Sequence, residues 1–276
     1  MRLIRCTQQS DLWIAARVGR ITGSRLGDMM APPTTRASVR NGVSCAAGTE
    51  AKAKADYRKE LITERIYRRA VNHPPTRAMI EGIEREPFAR MLYEADTTQI
   101  VETVGFALHP EWDWFGVSAD GLCGDNGGVE LKSPTELVHD SYLSDVQLLV
   151  NEYKWQVLGC LVCFPKRQWW DLCSFNPYAP DAIKLLKFRF HRSDWDKTVA
   201  AIEYTALEFN AEIENAIAKR GLPPTTFDVM PGYDEVGVIE PRAVGLKEKL
   251  RKSVDMDAEQ FITDSDIEWA KAQQGA

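Results

Sequence analysis

The sequence predicts an α/β domain in which a central mixed β-sheet is flanked by helices. Between residues 98 and 191, short β-rich runs separated by turn residues stand on both sides of one apolar helical stretch. On either side of that region lie longer segments whose apolar residues recur at helical spacing. Helices, a strand meander, a helix and two more strands bury their apolar faces best as layers around a shared sheet.

The composition sets the outer bounds. A chain of 276 residues that is 44% hydrophobic can bury one large domain, or one domain with an appendage. No apolar run approaches the ~20 residues of a membrane span. The opening "MRLIRCTQQSDLW" lacks the apolar run of a signal peptide. Six cysteines in a chain of this length predict free thiols in a reducing cytoplasm. The net charge of -6 speaks at first against a polyanionic partner. Its distribution does not: residues 1–85 hold 16 Lys/Arg against 8 Asp/Glu, and residues 221–276 hold 6 against 11. Screening confines each field to ~10 Å, so a basic face can exist on an acidic protein. An unevenly charged, solvated surface has the same signature.

Taken in order, Ser10 and Asp11 cap a short amphipathic run through Trp13, Ile14 and Val18. A second helix is predicted from Thr22. Residues 31–49, rich in Pro, Thr and Gly, read as a long loop. Residues 50–71 form a strong helical pattern with Leu61, Ile62 and Ile66 on one side and Lys54, Arg58, Arg65 and Arg69 on another. That basic face could meet phosphate groups or simply meet water. Asn72–Pro75 breaks the helix, and another runs from about Thr76 to Ala95. "QIVETVGFALH", "DWFGVSADGL" and "GGVELKS" read as three strands of the sheet, followed by a helix over about Ser144–Cys163. "RQWWDLCSF" and "IKLLKFRFH" supply two further strands, and a helix from Asp194 to Lys219 closes the domain at about residue 221. Residues 222–276 read as a peripheral extension.

The chemistry concentrates in one hairpin, "GVSADGLCGDNGGVELKSPT". Asp120 ends one strand, while Glu130 and Lys132, two apart on the next, share a face. "GDNGG" between them suits a tight turn with left-handed backbone. Two carboxylates brought together repel unless a divalent cation lies between them, and Mg²⁺ takes hard oxygen ligands of this kind. A lysine beside such an ion can orient or deprotonate water, or stabilise charge on a phosphoryl transition state. A surface salt-bridge cluster would show the same three residues.

The pattern resembles the core of the PD-(D/E)-x-K nucleases and, more narrowly, the phage lambda exonuclease family of viral recombination nucleases. Four ordered segments carry the resemblance: "ARVGRITGS" (Ala16 to Ser24), "EGIEREPFARMLYE" through Gly82, Glu86 and Ala89, the hairpin itself, and "YKWQVLGCLVC" through Tyr153 and Gln156. Ala119 departs from the family's usual proline before the aspartate, and residues beyond about 221 have no counterpart in it. The resemblance implies a restriction-endonuclease-like core. It also implies a magnesium-dependent 5′-to-3′ exodeoxyribonuclease that resects linear duplex DNA and leaves 3′ overhangs for recombination by strand annealing.

Residue by residue, it implies that Asp120, Glu130 and the Leu131 carbonyl hold two Mg²⁺ ions, with Mn²⁺ able to substitute, and that Glu86 joins them through water. Lys132 would act on the attacking water, Gln156 would position that water or the phosphate, and Arg17, Ser24 and Ser118 would bind a 5′-phosphate. A homotrimer threading DNA ends, a single-strand annealing partner from the same phage or prophage, and the cytoplasm of a bacterial host are implied as well. An endonuclease on the same core, or an inert module that binds DNA ends or a partner, are the competing readings; neither needs a free end together with intact acids. Cys160, Cys163 and Cys173 lack the spacing of a zinc or iron–sulfur site and read as buried thiols. Trp112, Trp114, Trp169 and Trp170 read as core rather than base-stacking residues.

Overall fold

The structure, a computed structural model, describes residues 2–35, 38–40, 43–71 and 76–227. The Asn72–Pro75 break and residues 228–276, most of the expected extension, lie outside the described residues. In chain order the elements are β1 (Arg2–Ile4), α1 (Asp11–Arg17), β2 (Ile21–Thr22), a 3₁₀ turn at Gly23–Arg25, α2 (Leu26–Met29), β3 (Ser38–Arg40) and β4 (Val43–Cys45). Next come α3 (Lys52–Tyr67), α4 (Arg77–Thr97), β5 (Val101–Glu102), β6 (Phe106–Leu108), β7 (Phe115–Val117), β8 (Gly121–Cys123) and β9 (Gly127–Lys132). They are followed by α5 (Glu136–Ser144), α6 (Val146–Cys163), β10 (Trp169–Phe175), β11 (Leu185–His191) and α7 (Arg192–Ala218).

The layered α/β prediction holds, with two mixed sheets where one was expected. One sheet has the order β1-β6-β7-β2, the other β11-β10-β9-β8-β5. The pair β9/β10 is parallel, as is β2/β7, and the remaining ladders of both sheets are antiparallel. The second sheet arises because two predicted strands each split. "QIVETVGFALH" breaks near Gly105, which leaves no room for a side chain against the backbone of Cys6. "DWFGVSADGL" breaks over Ser118–Asp120, so that β7 and β8 enter different sheets. A run of apolar residues fixes strand propensity but not which partner each half finds.

Helix α6 joins the sheets. Val157 to Cys163 are all buried, and they share one core with Val117 of β7, Trp170 and Leu172 of β10, and Ile202 and Phe209 of α7. A helix buried on every side must be apolar all round, as "VLGCLVC" is. The described cysteines are free, and Cys160, Cys163 and Cys173 are buried as expected. Trp170 is wholly buried, and Trp112 and Trp114 stack on each other 4.8 Å apart against the same core.

Three other expectations change. The predicted helix start at Thr22 is a short strand followed by a 3₁₀ turn and α2, and the 31–49 loop contains the β3/β4 hairpin. Helix α5 was not predicted, because it buries His139 and Tyr142 and exposes Leu137, which blurs its period. In the β8/β9 turn only Gly124 takes a left-handed backbone, with φ +50. Gly127 and Gly128 belong to β9 itself, where the rings of Trp169 and Trp170 lie over them.

A Cβ on Gly128 would stand 2.5 Å from three atoms of the Trp170 ring, which has no space to retreat. Overpacking of this kind costs ~1–3 kcal/mol. Gly128→Ala should therefore lower the melting temperature by roughly 2–10 °C in calorimetry. An unchanged melting temperature would show that the β9/β10 layer can open around the methyl group.

Candidate active site

The β8/β9 hairpin places the acids. Its register pairs Gly121 with Val129, and one step further along it Asp120 comes opposite Glu130. Asp120 accepts a hydrogen bond from the Leu131 amide at 2.8 Å, which turns its carboxylate toward β9. Glu130 is wholly buried. Its Oε1 accepts from Lys132 Nζ at 2.6 Å and from Gln156 Nε2, while Gln156 Oε1 accepts from the same Lys132 at 3.2 Å. Helix α6 thus delivers an amide that ties the acid to the base. Tyr153, one turn before it, offers its ring face to the Lys132 ammonium 5.0 Å away.

The electrostatics are costly. Burial, and then the charge of Glu130, push the Asp120 carboxyl up to about 8. Burial also raises Glu130, against the pull of Lys132. For Lys132 burial works against the ammonium, but Glu130 and Asp120 outweigh it and hold it above the usual lysine range. Glu86, on α4, lines the same cleft; burial and the Asp120 charge raise its carboxyl, although Arg90 contacts it at 2.7 Å. Glu130 Oε2 is buried with no hydrogen-bond partner. An orphaned carboxylate oxygen beside a second carboxylate is what a cation would satisfy. Among the described residues no three His, Cys, Asp or Glu side chains form a metal cage. Mg²⁺ takes one or two carboxylates together with waters and phosphate oxygens. The residues present suit such an ion.

The second predicted group is also assembled. Arg17 donates to Ser118 Oγ at 3.1 Å and to Ser24 Oγ at 3.0 Å, and its guanidinium lies 4.4 Å from the centre of the Trp13 ring. Ser118 precedes Asp120 by two residues, at the point where β7 leaves for the other sheet. Both groups line one cleft of about 450 Å³, with Met79, Gly82 and Ile83 of α4 on its other side.

Two contributors were not predicted as site residues. Trp13 donates to Ser118 at 2.8 Å, and Gln8 holds the carbonyls of Val104 and Ala119 at 3.3 Å each. Trp13 stands four residues before Arg17, a helical spacing that could have revealed it.

The basic face of α3 needs correction. Arg58 pairs with Glu50 and, across to α7, with Glu212 at 2.8 Å. Arg65 is 4% exposed and bonds Glu214 at 2.7 Å and the Gly19 carbonyl at 2.8 Å. Lys54 lies 5.7 Å from the Phe209 ring centre. Arg69 stands beyond the end of α3, after Arg68 takes a left-handed backbone. Docking of α3 against acids on α7 turns the face inward, so it forms no continuous phosphate track.

A family model described as a YqaJ-like viral recombinase domain matches residues 12–164, a span that contains every predicted catalytic and phosphate-binding residue. The chain belongs to the YqaJ-like viral recombinase family. Two structures of the alkaline exonuclease LHK-Exo from Laribacter hongkongensis resemble this recombinase domain. The first is 32% identical with TM-score 0.65, covering 77% of this chain and 96% of that one. The second, a complex with dAMP, is 31% identical with TM-score 0.63, covering 77% and 98%. A phage-related exonuclease from Haemophilus somnus 129PT shares the fold at 9% identity and TM-score 0.55, over 73% of this chain and 96% of that one. No curated protein matches the sequence. Exonucleases among the homologues indicate that the recombinase domain is a nuclease.

The crowding of like charges gives a test. Asp120→Asn keeps an acceptor for the Leu131 amide but removes one of two buried carboxylates. In chelator-containing buffer this variant should melt at a higher temperature than wild type, and added Mg²⁺ should raise its melting temperature less. A variant less stable without metal would show that the carboxylate pair is structurally favourable.

Proposed function

We propose that the protein is a magnesium-dependent 5′-to-3′ exodeoxyribonuclease that resects one strand of linear duplex DNA and leaves a 3′ overhang. The reading rests on one observation above others: Glu130, whose Oε2 lacks a hydrogen-bond partner, and the Arg17–Ser24–Ser118 group line the same cleft. A terminal phosphate and a scissile phosphate need two sites one nucleotide apart, and two such groups in one cleft support this reading.

Asp120, Glu130 and the Leu131 carbonyl would hold the ions, with Glu86 reaching them through water. When bound, Mg²⁺ supplies charge stabilisation to the phosphoryl oxygens and acidifies bound water. The guanidinium fork of Arg17, with two hydroxyls beside it, suits a 5′-phosphate. Lys132, kept cationic by Glu130, donates to the attacking water or to the charge that builds on the phosphate. Gln156 fixes Lys132 against Glu130, so the ammonium and the carboxylate move as one unit. Tyr153 covers the ammonium and limits its rotation.

Resection by such an enzyme yields the single strand that an annealing protein of the same phage or prophage would use, in the cytoplasm of a bacterial host. We further propose a homotrimer that threads the duplex, as the resemblance to the phage lambda exonuclease family implies. Light scattering at micromolar protein should report three chains; a monomer would remove the ring.

One assay tests the activity. Wild type with Mg²⁺ should digest linear duplex and spare supercoiled circles, and should prefer 5′-phosphorylated over 5′-hydroxyl ends. Asp120→Ala and Glu130→Ala should abolish digestion while retaining duplex binding. Arg17→Ala should slow digestion of phosphorylated ends by roughly 10- to 100-fold, the equivalent of ~1.5–3 kcal/mol for a charge-assisted contact. Cutting of closed circles would point to an endonuclease, and equal slowing on both end types would refute the phosphate pocket.

A further inference from the structure

A second cleft, of about 470 Å³, lies on the other side of α1. Trp13 and Arg17 face the catalytic cleft, whereas Ile14 and Val18, also four apart, line this one. Its opposite wall is the end of α3 and the residues after it. Four guanidinium groups, those of Arg20, Arg65, Arg68 and Arg69, line it against two carboxylates, Asp11 and Glu64. Glu64 is already engaged with the backbone amides of Gly19 at 2.8 Å and Val71 at 3.0 Å. Arg20 donates to the carbonyls of Asp113 and Ala16, Arg68 to the carbonyl and hydroxyl of Thr226, and Arg65 pairs with Glu214, so the donors this cleft can offer a ligand are those of Arg65 Nη2 and Arg69.

Arg65 makes the case for a ligand. It is 4% exposed, and its Nε and Nη1 are used by Gly19 and Glu214, yet its Nη2 is buried with no acceptor. The aromatic ring of Phe227 stands 5.2 Å from this guanidinium and 4.6 Å from that of Arg20. A ring face attracts a cation but accepts no strong hydrogen bond, so the donor still lacks an acceptor. Arg69 is exposed, and no side chain or backbone group among the described residues bonds it. Arg68, with φ 54, turns the chain so that Arg69 follows it along the cleft wall.

We propose that this cleft is a second phosphate site, holding a backbone phosphate of the DNA strand that is not digested. The assignment rests on the exonuclease reading above. Guanidinium groups suit phosphate through paired donors. An α-helix with its side chains is ~10–12 Å across, which matches the ~12 Å width of the major groove. An end held at Arg17 by the digested strand therefore brings the opposite backbone to the far side of α1. On this account α1 stands between the two strands, with one phosphate contact on each face.

Arg69 is the residue to change, because it is exposed and no described residue bonds its side chain. Dissociation constants would be measured in chelator, so that nothing is cut, for a 5′-phosphorylated duplex and for the same 5′-phosphorylated strand alone, over a range of salt. Arg69→Ala should weaken duplex binding roughly 3- to 10-fold at low salt and reduce the slope of log K against log salt by about 0.9. The loss should be confined to the duplex, and Arg69→Lys should recover most of it. No loss, or an equal loss on the single strand, would overturn the assignment. So would calorimetric binding of inorganic phosphate that depends on Arg69 while DNA affinity does not, since the cleft would then serve a free anion. Failure of wild type to bind linear duplex at all would instead count against the exonuclease reading.

Discussion

Two carboxylates buried on neighbouring strands set the terms for the rest of this molecule. Asp120 and Glu130 cannot both be ionised cheaply in a dry environment, and the upward push on both carboxyls expresses that cost. The protein answers with a lysine on the same strand, an amide from α6 and an amide from the backbone of β9. It leaves one oxygen of Glu130 without a partner. A structural ion pair would have been closed completely, because a half-satisfied buried network is worse than an apolar one.

The fold can carry this expense because the site is held on regular elements. Asp120, Glu130 and Lys132 ride on a hairpin inside a five-stranded sheet whose next neighbour, β10, runs parallel to β9. Helix α6 crosses between these strands in sequence and brings Gln156 and Tyr153 to the ends of their side chains. It is anchored by an unbroken run of buried apolar residues. Rotation of α6 by one residue would swing Gln156 some 100° away, so core packing and site geometry are a single constraint.

Helix α1 plays a comparable part between two clefts. It is only seven residues long, too short to be stable by itself. Ser10 caps it, Arg65 and Glu64 grip the chain just after it, and Ser118 receives both Trp13 and Arg17. The buried arginine of α3 thus stabilises the helix from one side while Arg17, bonded to Ser24 and Ser118, faces the other. Membership of the YqaJ-like viral recombinase family is carried by residues 12–164, a stretch that begins within this helix.

Much of the site was legible because its parts are local or nearly so. Two strands joined by a tight turn determine that Asp120 and Glu130 meet, and a period of two puts Lys132 beside them. Cap residues and apolar spacing determined α1, α4, α6 and α7 within a few residues. The partition into two sheets was not legible, since β5 to β8 have the same propensities whichever neighbour they pair with, and the choice depends on contacts such as Cys6 against Gly105. Helix α5 was hidden because its buried positions are His139 and Tyr142. Lys54, Arg58 and Arg65 of α3 do share a face, but Arg69 lies beyond the helix end, and the surroundings of that face lay in α7, some 150 residues away. Sequence by itself determined which charged groups are neighbours along short, regular segments. Only tertiary structure decided whether a charge meets water, a ligand or an opposite charge, because that depends on which distant surface packs against it.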